Sequence, residues 1–106
     1  MGPDILLTEL DRALPGFAGY FQSPDNLHDG GTLCAIFAAC SDFVRERSIA
    51  AECWPQLANI VNTAVVDEAA AEAACTCFLE NIAEPSHPLK PFLSREALEY
   101  WTSWEA

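Results

Sequence analysis

The apolar residues of this chain recur at helical spacing and nowhere alternate, which confines the fold to helices. From Leu33 to Val44 the sequence sets Leu33, Ile36, Phe37, Cys40, Phe43 and Val44 on one helix face. Asp42, Arg45 and Glu46 take the outer face. This pattern predicts a helix that begins near Asp29 to Thr32 and ends near Arg47. No stretch of alternating β-branched residues bounded by turns occurs, so no strand is predicted. No repeat of fixed period is visible either.

The same spacing marks the other helices. Asp4 is read as the N-cap of a first helix running to about Leu14, with Ile5, Leu6, Leu10 and Leu14 as its apolar stripe. Pro15 and Gly16 stop it. Phe17, Tyr20 and Phe21 form a short aromatic segment of about one helical turn. Ser23 to Asn26 make a turn. Pro55 suits the first turn of a helix that reaches about Val66, with Leu57, Ile60, Val61, Ala64 and Val65 facing inward. Its opposite face, Gln56, Asn59, Asn62 and Thr63, carries no charge and is expected to lie partly under its neighbours.

Asp67 is read as the N-cap of a further helix to about Ala83, with Glu68 in its first turn. Ala71, Ala74, Cys75, Phe78, Leu79 and Ile82 form its core stripe. Pro85, Pro88 and Pro91 follow at a spacing that matches polyproline II and suits a stiff connector. Ser94 caps a last helix through Trp104, whose Ala97, Trp101 and Trp104 share one face and seal the end of the bundle. The expected architecture is an all-α, antiparallel bundle of about five helices. With 106 residues it is one domain, 1–106, since two cores would each be too small.

Composition excludes several function classes. Five Lys plus Arg stand against sixteen Asp plus Glu, a formal charge of −11. Such a field repels nucleic acid and anionic lipid and speeds encounter with a basic protein surface. No apolar run is long enough for a membrane span. The N-terminus lacks a signal-peptide pattern, because Asp4, Glu9 and Asp11 interrupt it. A cytoplasmic protein is expected, and its five cysteines are then read as reduced thiols, with Cys40 and Cys75 as small core residues.

The residues that chemistry would need are not arranged for it. His28 falls in a loop and His87 between prolines, and neither has a partner at helical spacing. Cys75 and Cys77 lie about 200° apart around a helix axis and cannot share a metal there. Gly30-Gly31 is followed by no phosphate-binding lysine. Carboxylates on outer faces keep ordinary acidities. No enzyme activity, metal or cofactor is expected.

Binding is the remaining class, and the charge pattern suggests where. The 42 residues from Ser48 to Leu89 hold six acids, Glu52, Asp67, Glu68, Glu72, Glu80 and Glu84, and no base. On an α-helix Glu72, Thr76, Glu80 and Glu84 would form one stripe, and like charges so spaced cost about 0.2–0.5 kcal/mol per pair. Glu72, Glu80 and Glu84, with Glu68 and Asp67 beside them, are the candidate contact residues for a cationic partner. Solubility is the competing explanation for the same acids.

The segment from Ala73 to Ile82, AACTCFLENI, followed by a proline-rich link and by LSREALEYWTSW from Leu93 to Trp104, resembles a group of small bacterial helical domains. In that group a helix ending in a Phe-Leu-Glu-Asn-type motif precedes a short linker and a terminal aromatic helix. The group is similar to immunity proteins, which protect a producing cell by binding its secreted toxins. The resemblance covers residues 73–104, roughly the last third of the chain. It implies an antitoxin that binds a cognate toxin domain, and the acidic charge of this chain suits a basic cleft on that domain. The alternative is a regulatory or adaptor domain that forms a homodimer through the uncharged helix face or the terminal aromatics.

Overall fold

A computed structural model describes residues 1–22 and 32–105. The turn at Ser23 to Asn26, the His28 loop, Gly30-Gly31 and residues 29–31 of the expected helix start lie outside the described residues. Six α-helices are present among the described residues, and no strand: α1 Pro3–Ala13, α2 Phe17–Phe21, α3 Leu33–Glu46, α4 Cys53–Val65, α5 Glu80–Ile82 and α6 Arg95–Trp104. A π-helix, Ala73–Leu79, runs directly into α5, and a 3₁₀ turn, Lys90–Phe92, precedes α6. The all-α bundle is therefore the fold.

Local chemistry explains most boundaries. Pro3 occupies the first turn of α1, where its missing N–H costs nothing, so the helix starts before Asp4. Gly2 is the N-cap and makes no side-chain bond, which moves Asp4 from the expected cap into the first turn. Leu6, Leu10 and Ala13 are buried, whereas Ile5 is 59% exposed and leaves the expected stripe. Gly16 turns the chain with φ +93°, a left-handed value that favours glycine. Asp11 reaches over this turn, its Oδ1 accepting the Ala18 amide at 2.9 Å and covering a free donor of α2.

The cap of α3 is Thr32, whose Oγ1 accepts the Ala35 amide at 3.1 Å. Ile36, Phe37, Cys40, Phe43 and Val44 are buried, as the periodicity predicts. Phe17 of α2 meets Phe43 edge to face at 5.5 Å. On α4, Leu57, Ile60, Val61 and Ala64 are buried, together with Trp54, which precedes the predicted stripe.

The expected helix from Asp67 to Ala83 is present as an unbroken helical run over residues 71–82, but its middle takes π geometry. A turn holds Asp67, whose Oδ1 accepts the Ala69 amide at 2.9 Å. The chain then enters the π-helix and ends in α5 at Ile82. Ala74, Phe78, Leu79 and Ile82 are buried, but Ala71 and Cys75 are only half-buried. An i→i+5 pattern turns each residue less about the axis than an α-helix does, so the stripe drifts across this segment. The π-helix packs most extensively on α3, and Phe37 and Phe78 join them at 5.9 Å.

A disulfide between Cys34 of α3 and Cys77 of the π-helix ties the same pair, with Cα atoms 5.5 Å apart. This corrects the expectation of five reduced thiols: Cys40, Cys53 and Cys75 are free, and the other two are bonded. Spacing along one helix bears only on Cys75 and Cys77, and the partner of Cys77 comes from another helix.

The proline-rich link is compact rather than an extended polyproline edge. Turn hydrogen bonds run from His87 N to the Glu84 carbonyl and from Lys90 N to the His87 carbonyl, at 3.3 and 3.1 Å. Leu89 is fully buried and anchors it. Asn62 of α4 fastens its far end, donating from Nδ2 to the Phe92 carbonyl at 3.1 Å and accepting the Ser94 amide at 2.8 Å. One residue of the uncharged α4 face is thus covered from within. Ser94 caps α6 as expected, accepting the Ala97 amide at 3.3 Å. Ala97 and Trp101 seal the core, but Trp104 is 49% exposed and does not.

Candidate functional site

The five acidic candidates fall at three places on the surface. Asp67 and Glu68 lie in the turn before the π-helix, and Glu72 immediately precedes it. Glu68 and Glu72 are exposed, and no ion pair is formed by either among the described residues. Asp67 is engaged within the fold: its Oδ2 accepts the Met1 ammonium at 2.7 Å. Those hydrogen bonds from Met1 and from the Ala69 amide hold its carboxyl below the ordinary carboxylate range. Glu72 borders a shallow hollow with Thr76, Cys34 and Cys77, so the disulfide adjoins this part of the acidic surface.

Glu80 begins α5, where Tyr100 of α6 donates its hydroxyl to Oε2 at 3.1 Å. Burial first, and that bond second, push the Tyr100 phenol above its usual value. Glu80 is therefore half-buried and tied to α6, unlike its neighbours in sequence. Glu84 lies past the end of α5, which stops at Ile82. The regular four-residue stripe of an uninterrupted α-helix is not what the backbone presents.

Glu84 opens onto a cleft of about 380 Å³ lined also by Arg45, Trp54, Asn81, His87 and Pro88. His87, which lies between prolines in the sequence, is the residue here that no spacing assigns to a site. Its ring meets Trp54 and Trp101 edge to face at 5.2 and 5.4 Å. Its Nδ1 accepts the Leu89 amide at 3.1 Å, so in the neutral ring the proton sits on Nε2. Burial lowers its pKa from the ordinary histidine value, and the Glu84 charge pulls the other way. A histidine between prolines has no periodicity to place it, and only the fold brings the two tryptophans to it.

Chemically, the arrangement offers exposed carboxylates and one neutral imidazole. No group of three or more His, Cys, Asp or Glu able to hold a metal occurs among the described residues. No helix among them is long and apolar enough to cross a membrane. Comparisons with protein families, curated proteins and solved structures find no match for this chain.

Proposed function

We propose that this protein is a non-catalytic immunity protein that neutralises a cognate bacterial toxin by direct protein–protein binding. The observation that carries the reading is the acidic surface of the stretch from Ser48 to Leu89, which holds six acids and no base. Glu68, Glu72 and Glu84 stand exposed there with no ion pair among the described residues. They suit the basic cleft of a toxin that acts on nucleic acids or nucleotides, where charge complementarity speeds association and sets specificity. Glu80 joins them through the Tyr100 hydroxyl, which orients its carboxylate.

The test is to look for a toxin gene beside the gene for this chain and to co-express its toxic domain with this protein. Wild-type protein should restore growth and form a complex that weakens with salt. Replacement of Glu72, Glu80 and Glu84 by lysine should abolish protection while the helical circular dichroism is kept. Protection by that variant would sink the site, and no protection by the wild type would sink the function.

Exposed aromatics favour one other reading, a self-associating adaptor domain. Phe92 and Trp104 are 46% and 49% exposed, and such side chains anchor interfaces. Light scattering of the free protein separates the two, since a stable dimer is required only by the second.

A further inference from the structure

A cavity of about 460 Å³ lies at the C-terminal end of α3, away from the residues assigned above. That size suits a small organic ligand. Leu14 and Gly16 of the α1–α2 turn, Phe43 of α3 and Ile49 of the α3–α4 link line it, and Arg47 stands at its side. The Arg47 guanidinium carbon lies 4.6 Å from the Tyr20 ring centroid and 4.5 Å from that of Phe43. The cation thus sits against both rings, which stand at 75° to each other, and these contacts use its charge without consuming its N–H donors.

The charge pairing singles this arginine out. Arg12, Arg45, Lys90 and Arg95 each pair with a carboxylate. Arg47 has no carboxylate partner among the described residues, although the chain carries sixteen acids. The adjacent Glu46 is occupied by the Tyr20 hydroxyl, which donates to it at 3.0 Å. Asp42 is taken by Arg45. Glu52 lines the same cavity and sets a limit, because a second anionic group on a ligand would meet its charge.

We propose that this cavity binds a small monocarboxylic acid with an apolar body. The carboxylate is held by the edge of Arg47, and the body lies against Leu14, Phe43 and Ile49. A planar guanidinium matches a carboxylate through two parallel hydrogen bonds, and the cation–π contacts with Tyr20 and Phe43 restrict the arginine before binding, which lowers the entropy cost of ordering it. The site uses none of the candidate contact residues Asp67, Glu68, Glu72, Glu80 and Glu84, and its test does not depend on the toxin-binding reading.

The experiment is a titration of the full chain, followed by two-dimensional amide NMR, with phenylacetate, phenylacetamide and succinate as probes. Phenylacetate should shift the amides of Ile49 to Cys53 and the Arg47 side chain saturably. Phenylacetamide should bind about tenfold more weakly, since it loses the charge-assisted pair, and succinate should not saturate. Arg47→Gln should remove the preference for the acid, while Arg47→Lys keeps part of it. Absence of saturable shifts, or equal binding of acid and amide, would overturn the proposal. Should Arg47→Gln unfold, the acid–amide comparison on the wild type still decides.

Discussion

The Nδ1 atom of His87 accepts a hydrogen bond from the backbone amide of Leu89, 3.1 Å away and two residues on. Protonation would place a second donor against that amide and charge a ring packed between Trp54 and Trp101. The connector from Ala83 to α6 is thus built around a neutral histidine.

This has a consequence for pH. The folded pKa of His87 is lowered, first by burial and with Glu84 opposing. The unfolded chain therefore binds the proton more readily. Its stabilising contribution is complete above the unfolded value of about 6.5 and is lost as pH falls below that value toward the folded pKa. The urea midpoint of the wild type should drop between pH 7.5 and 5.5 by more than that of His87→Asn, whose Oδ1 can still accept the Leu89 amide. The difference between the two proteins cancels every contribution common to both. Equal slopes would refute the assignment.

The Cys34–Cys77 bond closes a long loop, with 43 residues of sequence separation. Loop-closure entropy for such a length corresponds to about 4 kcal/mol of stabilisation through the unfolded chain. The double replacement Cys34→Ser with Cys77→Ser should lower the unfolding free energy by roughly that amount in a urea melt. A reducing agent should do the same to the wild type and leave the double variant unchanged. A wild type indifferent to reductant would contradict the prediction.

How far the sequence reveals the fold depends on whether the signal is local. α3 and α6 are legible because Thr32 and Ser94 cap them through bonds three residues long, and because each helix shows its apolar face within its own segment. The segment from Asp67 to Ala83 is not. Its apolar residues fit an α-helical stripe, yet the choice of a π-helix depends on packing against α3, which spacing does not encode. The helix ends at Ile82, so Glu84 lies beyond it. The disulfide is not legible for the same reason, since its partners meet only after the chain folds. Nor is the setting of Arg47, whose two aromatic supports come from α2 and α3.

Asn62 offers a sharper test of the connector. It is the only described side chain that bonds both the Phe92 carbonyl and the Ser94 amide. Asn62→Ala leaves both backbone groups without it and should cost about 1–3 kcal/mol. Asn62→Asp keeps the acceptor for Ser94 and loses the donor to Phe92, so its cost should fall between those of wild type and alanine. Thermal melts of the three proteins decide. An aspartate variant less stable than the alanine variant would show that the donor, or the added charge, dominates.

Trp101 is fully buried, and its Nε1 has no hydrogen-bond partner among the described residues. A buried donor left unsatisfied costs roughly 1–3 kcal/mol, so the fold carries that cost in exchange for the area of the ring. Trp101→Phe loses part of the area and the contact with His87, but it also removes the orphan donor. The two effects oppose each other, and the net destabilisation should be about 1 kcal/mol or less. Trp101→Ala removes the whole ring and should cost about 3–5 kcal/mol. Denaturant melts of the two variants measure the contrast, and a phenylalanine variant as unstable as the alanine one would mean that Nε1 is satisfied in solution.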